Sequence, residues 1–200
     1  MARIITLDED SHKYTVDGEP VPSVSELTRF ISREVYGEVT QYVLENAAAR
    51  GTAVHKASEA VDKFGSVECD EDIVPYLEAY IKFRKEHKCE WEKIEWMAVW
   101  DDKAAGTLDR LGKVDGVLTI LDIKTSSALQ KPLYSAQLNF YYMIAQANGY
   151  KPEKLAILKL QKDSTYKLVD IPIDPAVPNA LLVLHEALKK KSRKRKEKES

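Results

Sequence analysis

Two hundred residues, 44% of them hydrophobic, with eight glycines and eight prolines, describe one globular domain with a well-filled core rather than two. The net charge of −2 hides an asymmetry: residues 189–200 hold eight basic and two acidic side chains, which puts +6 on the tail and −8 on the rest. No apolar run approaches the roughly 20 residues a membrane helix needs, the opening Met1 to Asp8 turns acidic too soon for a signal peptide, and Cys69 and Cys89 are too few for a four-cysteine zinc or iron–sulfur site. A cytoplasmic protein with reduced thiols is expected, with residues 1–188 as its domain and 189–200 as a basic, disordered tail.

In chain order, residues 3–7 and 13–16 alternate around Asp17-Gly18 and predict a small β meander ending at Pro20 and Pro22. Ser23-Val24-Ser25-Glu26 reads as a capping box opening a short helix. A long helix is predicted from about Thr40 to Lys63, interrupted or kinked near Gly51. Another runs from about Asp72 to His87, where Ile73, Leu77, Tyr80 and Ile81 recur at helical spacing. Strands follow at about 91–100, 104–111 and 116–124, the last two joined by a turn whose Asp115-Gly116 is a hairpin signal. After Pro132 comes a helix to about Asn148, then strands near 154–161 and 165–171 and a last helix from about Val177 into the basic tail. This order predicts an α/β fold, a mixed sheet covered on both faces.

The chemistry concentrates at the end of the strand Val117 to Lys124. Side chains alternate along a strand, so Asp122 and Lys124 share one face while Leu121 and Ile123 take the other. The preceding strand brings a second acid, Asp109. Two carboxylates converging in a dry cleft repel each other, and a divalent cation makes that arrangement favourable; oxygen ligands select Mg²⁺ or Mn²⁺. A structural ion pair between Asp122 and Lys124 accounts for the same residues. His55 and Glu59 stand one turn apart on a helix, where an imidazole can complete a metal's coordination shell or serve as an ordinary polar surface group. Gly51, one turn earlier, permits close backbone approach. Gln137 and Tyr141 are likewise one turn apart, a spacing that also suits plain core packing.

Taken together, Gly51 to His55, Gly106 to Asp109, Asp122 to Lys124 and Gln137 to Tyr141 resemble the PD-(D/E)XK nuclease superfamily, in the branch of RecB-like nuclease domains and phage-type exonucleases. The opening His12-Lys13-Tyr14 to Pro22-Ser23-Val24 is similar to the start of phage-encoded members. The resemblance implies a restriction-endonuclease-like core with a central mixed β-sheet flanked by helices on both faces. It implies that His55, Asp109, Asp122 and the carbonyl of Ile123 bind Mg²⁺ or Mn²⁺, with Asp109, Asp122 and Lys124 catalytic, Lys124 orienting water or offsetting developing charge. Gln137 and Tyr141 would support the site or a DNA phosphate, and Ser126, Ser127 and Lys131 the DNA backbone; Glu95 is a second-rank metal or base candidate. Relatives with an iron–sulfur cluster carry four cysteines, so none is expected here.

The function implied is a metal-dependent deoxyribonuclease, an exonuclease of phage or mobile-element recombination or repair. The alternative is a non-cleaving nucleic-acid-binding or assembly protein on the same fold. DNA is the expected partner, with a recombination or helicase protein beside it because the chain has no phosphate-loop motif of its own. The setting implied is the cytoplasm of a bacterial or phage-infected cell, away from membranes.

Overall fold

A computed structural model describes residues 3–8, 11 and 13–199, with side chains as far as Lys191. Met1, Ala2, His12 and Ser200, on which parts of the sequence reading rest, lie outside the described residues. The apolar run that ends in Asp122-Ile123-Lys124 forms β6 (Val117–Lys124), the middle strand of a five-stranded sheet. On one side of it lie β5 (Ala104–Val114) and the edge strand β4 (Cys89–Trp100); on the other, β7 (Lys154–Leu160) and β8 (Tyr166–Ile171). β6 and β7 run parallel and every other neighbouring pair in this sheet is antiparallel. The expected mixed sheet is therefore present.

Strand alternation sorts the core into two layers. Ile120, Leu155 and Ile157 face α5 (Lys131–Ala147), whose Leu138, Phe140 and Ile144 are fully buried. Leu121, Ile123, Ala156 and Leu158 face the opposite way, onto Val54 of α3 (Gln41–Phe64) and Tyr80 and Phe83 of α4 (Val74–Glu86). Each large apolar side chain sealed between sheet and helix contributes about 1.5–3 kcal/mol. Helices thus cover both faces. The predicted Asp115-Gly116 turn between β5 and β6 has φ of 51° and 87°, the left-handed pair that a two-residue hairpin requires.

The meander is a separate three-stranded sheet, β1 (Ile5–Asp8), β2 (Lys13–Val16) and β3 (Glu19–Val21), the third strand following the Asp17-Gly18 turn where the alternation suggested only two. It is fastened to β5 by the Ala105 N–H donating to the Pro22 carbonyl at 2.9 Å and by the Tyr14 hydroxyl, 2.9 Å from Thr107 Oγ1. The Ser23 half of the capping box is present: Ser23 Oγ accepts from the Glu26 N–H at the start of α1 (Val24–Leu27). Thr28 then donates its hydroxyl to the Val24 carbonyl and closes that helix. A second helix, α2 (Arg29–Tyr36), follows at once and had no sequence signal of its own.

One helix prediction needs correction. α3 runs unbroken through Gly51, because one interior glycine costs only about 1 kcal/mol and Ala47, Ala48 and Ala49 lie just before it. α6 (Ala176–Glu199) runs, as predicted from about Val177, into the basic segment. Lys, Arg and Glu are good helix formers, and basic residues suit the negative end of a helix dipole.

A buried arginine ties the second layer together. Arg110 of β5 is fully enclosed, with Nε 2.7 Å from Asp62 Oδ2 of α3, Nη2 3.1 Å from Ser58 Oγ and Nη1 3.1 Å from Glu95 Oε1 of β4. Asp62 also accepts from the Tyr80 hydroxyl and pairs with Arg84 of α4. Removing one partner of a buried ion pair leaves the other uncompensated. Asp62→Ala is expected to destabilise the fold by about 3–5 kcal/mol in urea unfolding; a loss below about 1 kcal/mol would show that Arg110 is neutralised by other means.

Candidate active site

The site forms where two strands part. The ladder between β5 and β6 ends at the pair Arg110 and Leu121. Beyond it, the Ile123 N–H donates to Asp109 Oδ2 at 2.6 Å, a side chain taking the place of a strand. The splayed end brings Asp109 beside the Asp122–Lys124 stretch. Asp122 is 1% exposed, and burial pushes its pKa up to about 6, Lys124 only partly offsetting that effect while Asp109 adds to it. Lys124 Nζ lies 2.6 Å from Asp122 Oδ2, as their shared strand face requires, and among the described residues no other group donates to the Asp122 carboxylate. Burial would lower the Lys124 pKa, but Asp122 and Asp109 outweigh it and hold it above the usual value.

His55 enters from α3, on the opposite side of Ile123 from Asp122. Its Nε2 is 3.1 Å from the Ile123 carbonyl, and its Nδ1 is 3.5 Å from both Glu95 Oε1 and Asp109 Oδ1. Burial works against charge on this ring, but the Asp109 and Glu95 carboxylates outweigh it and raise its pKa to about 9. The imidazolium donates from one nitrogen to the carbonyl and turns the other to the two acids. His55, Glu95 and Asp109 bring ligand atoms within 4.8 Å of one another. Asp122 lies outside that trio and faces Lys124. Glu95, ranked second in the sequence, is thus central here; its backbone has φ of 45° within strand β4, a strained conformation of the kind that functional sites retain.

The remaining motif residues support this centre. Gln137 Nε2 donates to the Tyr141 hydroxyl at 2.9 Å, and the Tyr141 ring packs so closely on Gly106 that a Cβ there would lie 2.9 Å from Tyr141 Cε1. The glycine of one motif makes room for the tyrosine of another. Tyr141 is buried, so it steadies the site from within the core. Tyr134, a residue without a sequence signal of its own, lies on the same helix seven residues earlier; its ring centroid is 5.3 Å from Lys124 Nζ, and its hydroxyl meets Tyr36 and Ser126. Ser127 and Lys131 are exposed beyond the strand end.

Hollows of about 670 and 610 Å³ flank His55. Lys124, Ser126 and Tyr134 line the first, Glu95, Gly106 and Tyr141 the second, and Gly51 and His55 border both. The expectation of a close backbone approach at Gly51 is not met, since a Cβ there would touch nothing within 4 Å; its bare surface opens onto the cleft instead. The donor set fits a hard divalent cation: the carboxylates of Glu95 and Asp109 and one imidazole converge, with the buried Asp122 carboxylate nearby paired only with Lys124 among the described residues.

The family model of the PD-(D/E)XK nuclease superfamily matches residues 28–199. Among solved structures, an alkaline exonuclease from Laribacter hongkongensis is similar at 13% identity and a TM-score of 0.43, over 73% of this chain and 84% of that one. No curated protein matches.

The raised pKa of His55 makes the metal-free protein pH-sensitive. A folded-state value above the ordinary 6.5 means that its stabilising contribution is complete below about pH 6.5 and is lost as pH rises toward about 9. Asp122 acts with the same sign but at lower pH, between 3.8 and about 6. In EDTA, thermal unfolding of the wild type should therefore drop between pH 6.5 and 9, and His55→Gln should flatten that drop. Parallel curves for the two proteins would remove the proton from His55.

Proposed function

The chain belongs to the PD-(D/E)XK nuclease superfamily, and from that we propose that it is a metal-dependent deoxyribonuclease, an exonuclease of phage or mobile-element recombination. The observation that carries this reading is the buried Asp122 carboxylate, met among the described residues by Lys124 alone and next to the cluster of His55, Glu95 and Asp109. The ion pair with Lys124 alone offsets only part of the cost of burying that carboxylate. Asp109, Asp122, His55 and Glu95, with the Ile123 carbonyl, would hold Mg²⁺ or Mn²⁺. Bound there, such a cation supplies Lewis-acid polarisation of the scissile phosphate and lowers the pKa of a water.

The chain's own groups do the rest. Lys124 remains protonated at neutral pH because two carboxylates face it, so it serves as a charged donor and not as a general base. A compact ammonium in that place orients the attacking water or offsets charge developing on the phosphoryl oxygens. Tyr134 holds its face against Lys124 and limits its rotamers. Gln137 and Tyr141 fix the strand that carries Asp109, through Gly106. The exonuclease mode and the phage context rest on the resemblance of the four motifs to that branch of the superfamily.

The purified chain should degrade end-labelled linear DNA in Mg²⁺ or Mn²⁺, spare closed circles and be inert in EDTA. Asp122→Asn and Lys124→Ala should each lower the rate by about a hundredfold or more with an unchanged circular dichroism spectrum. Wild-type cleavage by both variants would place the chemistry elsewhere, and cutting of closed circles would replace the exonuclease reading with an endonuclease one.

A further inference from the structure

A third hollow, of about 540 Å³, lies just past the catalytic strand and is bounded by Arg50, Tyr76, Ser126, Ser127, Lys159 and Lys162 among others. Three of its nine lining residues are basic and none is acidic. The nearest acid in sequence, Asp163, is tied into its own turn: its Oδ1 accepts from the Thr165 hydroxyl at 2.6 Å, from the Thr165 N–H at 3.2 Å and from Gln161 Nε2 at 3.4 Å. No carboxylate lines the hollow itself, so its positive charge is not offset within it.

The cations themselves are free to take an anion. Arg50 has a buried Nε with no hydrogen-bond partner and makes no ion pair among the described residues; the Tyr76 ring, 5.8 Å from its Cζ, is what holds it. Lys162 is exposed on the turn after β7 and is likewise unpaired among the described residues. Lys159 donates only to the Ser127 carbonyl. A guanidinium, two ammonium groups and the hydroxyls of Thr125, Ser126 and Ser127 together have the donor chemistry of a phosphate site.

Position supplies the link to the reaction. Lys159 stands opposite Lys124 in the parallel register of β6 and β7, and neighbouring strands are about 4.8 Å apart. Arg50 and Ser126 line both this hollow and the larger one that reaches Lys124 and His55. We infer that the hollow formed by Arg50, Lys159, Lys162 and the Thr125–Ser127 segment binds a backbone phosphate of the substrate strand flanking the scissile one. The inference rests on the nuclease reading and adds to it the path that the strand takes out of the site. The hollow contributes binding and no chemistry, so its loss raises KM and leaves kcat unchanged.

The test is fluorescence anisotropy of a labelled single-stranded oligonucleotide and of its duplex, in EDTA, over a series of salt concentrations. With one phosphate no longer neutralised, the double variant Arg50→Gln, Lys162→Ala should lower the slope of log affinity against log salt by about 0.7 on the single strand or 0.9 on the duplex. Lys162→Glu, on an exposed turn that the core does not depend on, should weaken binding by itself, and Lys82→Ala on α4 should change nothing. Slopes and affinities equal to wild type in both hollow variants would overturn the inference while leaving the nuclease reading in place. A wild type that neither binds nor cuts DNA would instead overturn the reading beneath it.

Discussion

The structure turns on the parting of β5 and β6. Had the ladder continued past Leu121, the Ile123 N–H would have bonded to backbone, and Asp109 would have had no reason to turn toward β6. Instead a carboxylate caps the strand, and the opening admits His55 from one face and Lys124 from the other. The cost is concentrated in Asp122. A carboxylate that is 1% exposed and meets Lys124 alone among the described residues is tolerable only beside a strong positive charge. Lys124 supplies part of that charge, and the proposed divalent cation would supply the remainder.

The second layer of the fold is organised to keep this opening in shape. Arg110 follows Asp109 in the chain and so projects to the other side, where Asp62 and Ser58 of α3 and Glu95 of β4 surround it. The helix that carries His55, the strand that carries Asp109 and the edge strand that carries Glu95 are thereby joined through one guanidinium. Its planar fork suits such a junction better than an ammonium could. Arg110 also donates to the carbonyl of Asp109 at 2.7 Å, which fixes the backbone immediately beneath the site.

How much of this was legible in the sequence follows from the range of each interaction. The shared face of Asp122 and Lys124 is a consequence of strand period alone, and the Asp115-Gly116 turn and the Ser23 cap are equally local. Glu95 was harder to read, because an acid on an edge strand ordinarily faces solvent; the positive φ that accompanies its turn toward His55 breaks the alternation on which that reading depends. Arg110 stood in an apolar strand, a visible anomaly, but its partner Asp62 is 48 residues away and no local pattern connects them. Tyr134 shares the α5 face of Tyr141 at a spacing of seven residues, and its role emerges only once Lys124 is seen against its ring. Gly51 reads as a point of close approach, whereas its bare surface is left open to the cleft.

The central claim is that His55, Glu95, Asp109 and Asp122 form one divalent-cation site in which a proton on His55 occupies the ring until metal arrives. Calorimetric titration of Mn²⁺ into the chain at pH 7.5, in two buffers of different ionisation enthalpy, measures binding and proton release together. Coordination by a His55 whose pKa is held up to about 9 predicts release of about one proton per cation bound, and Asp109→Asn should abolish the binding. Binding without proton release, and unaltered by Asp109→Asn, would contradict the site.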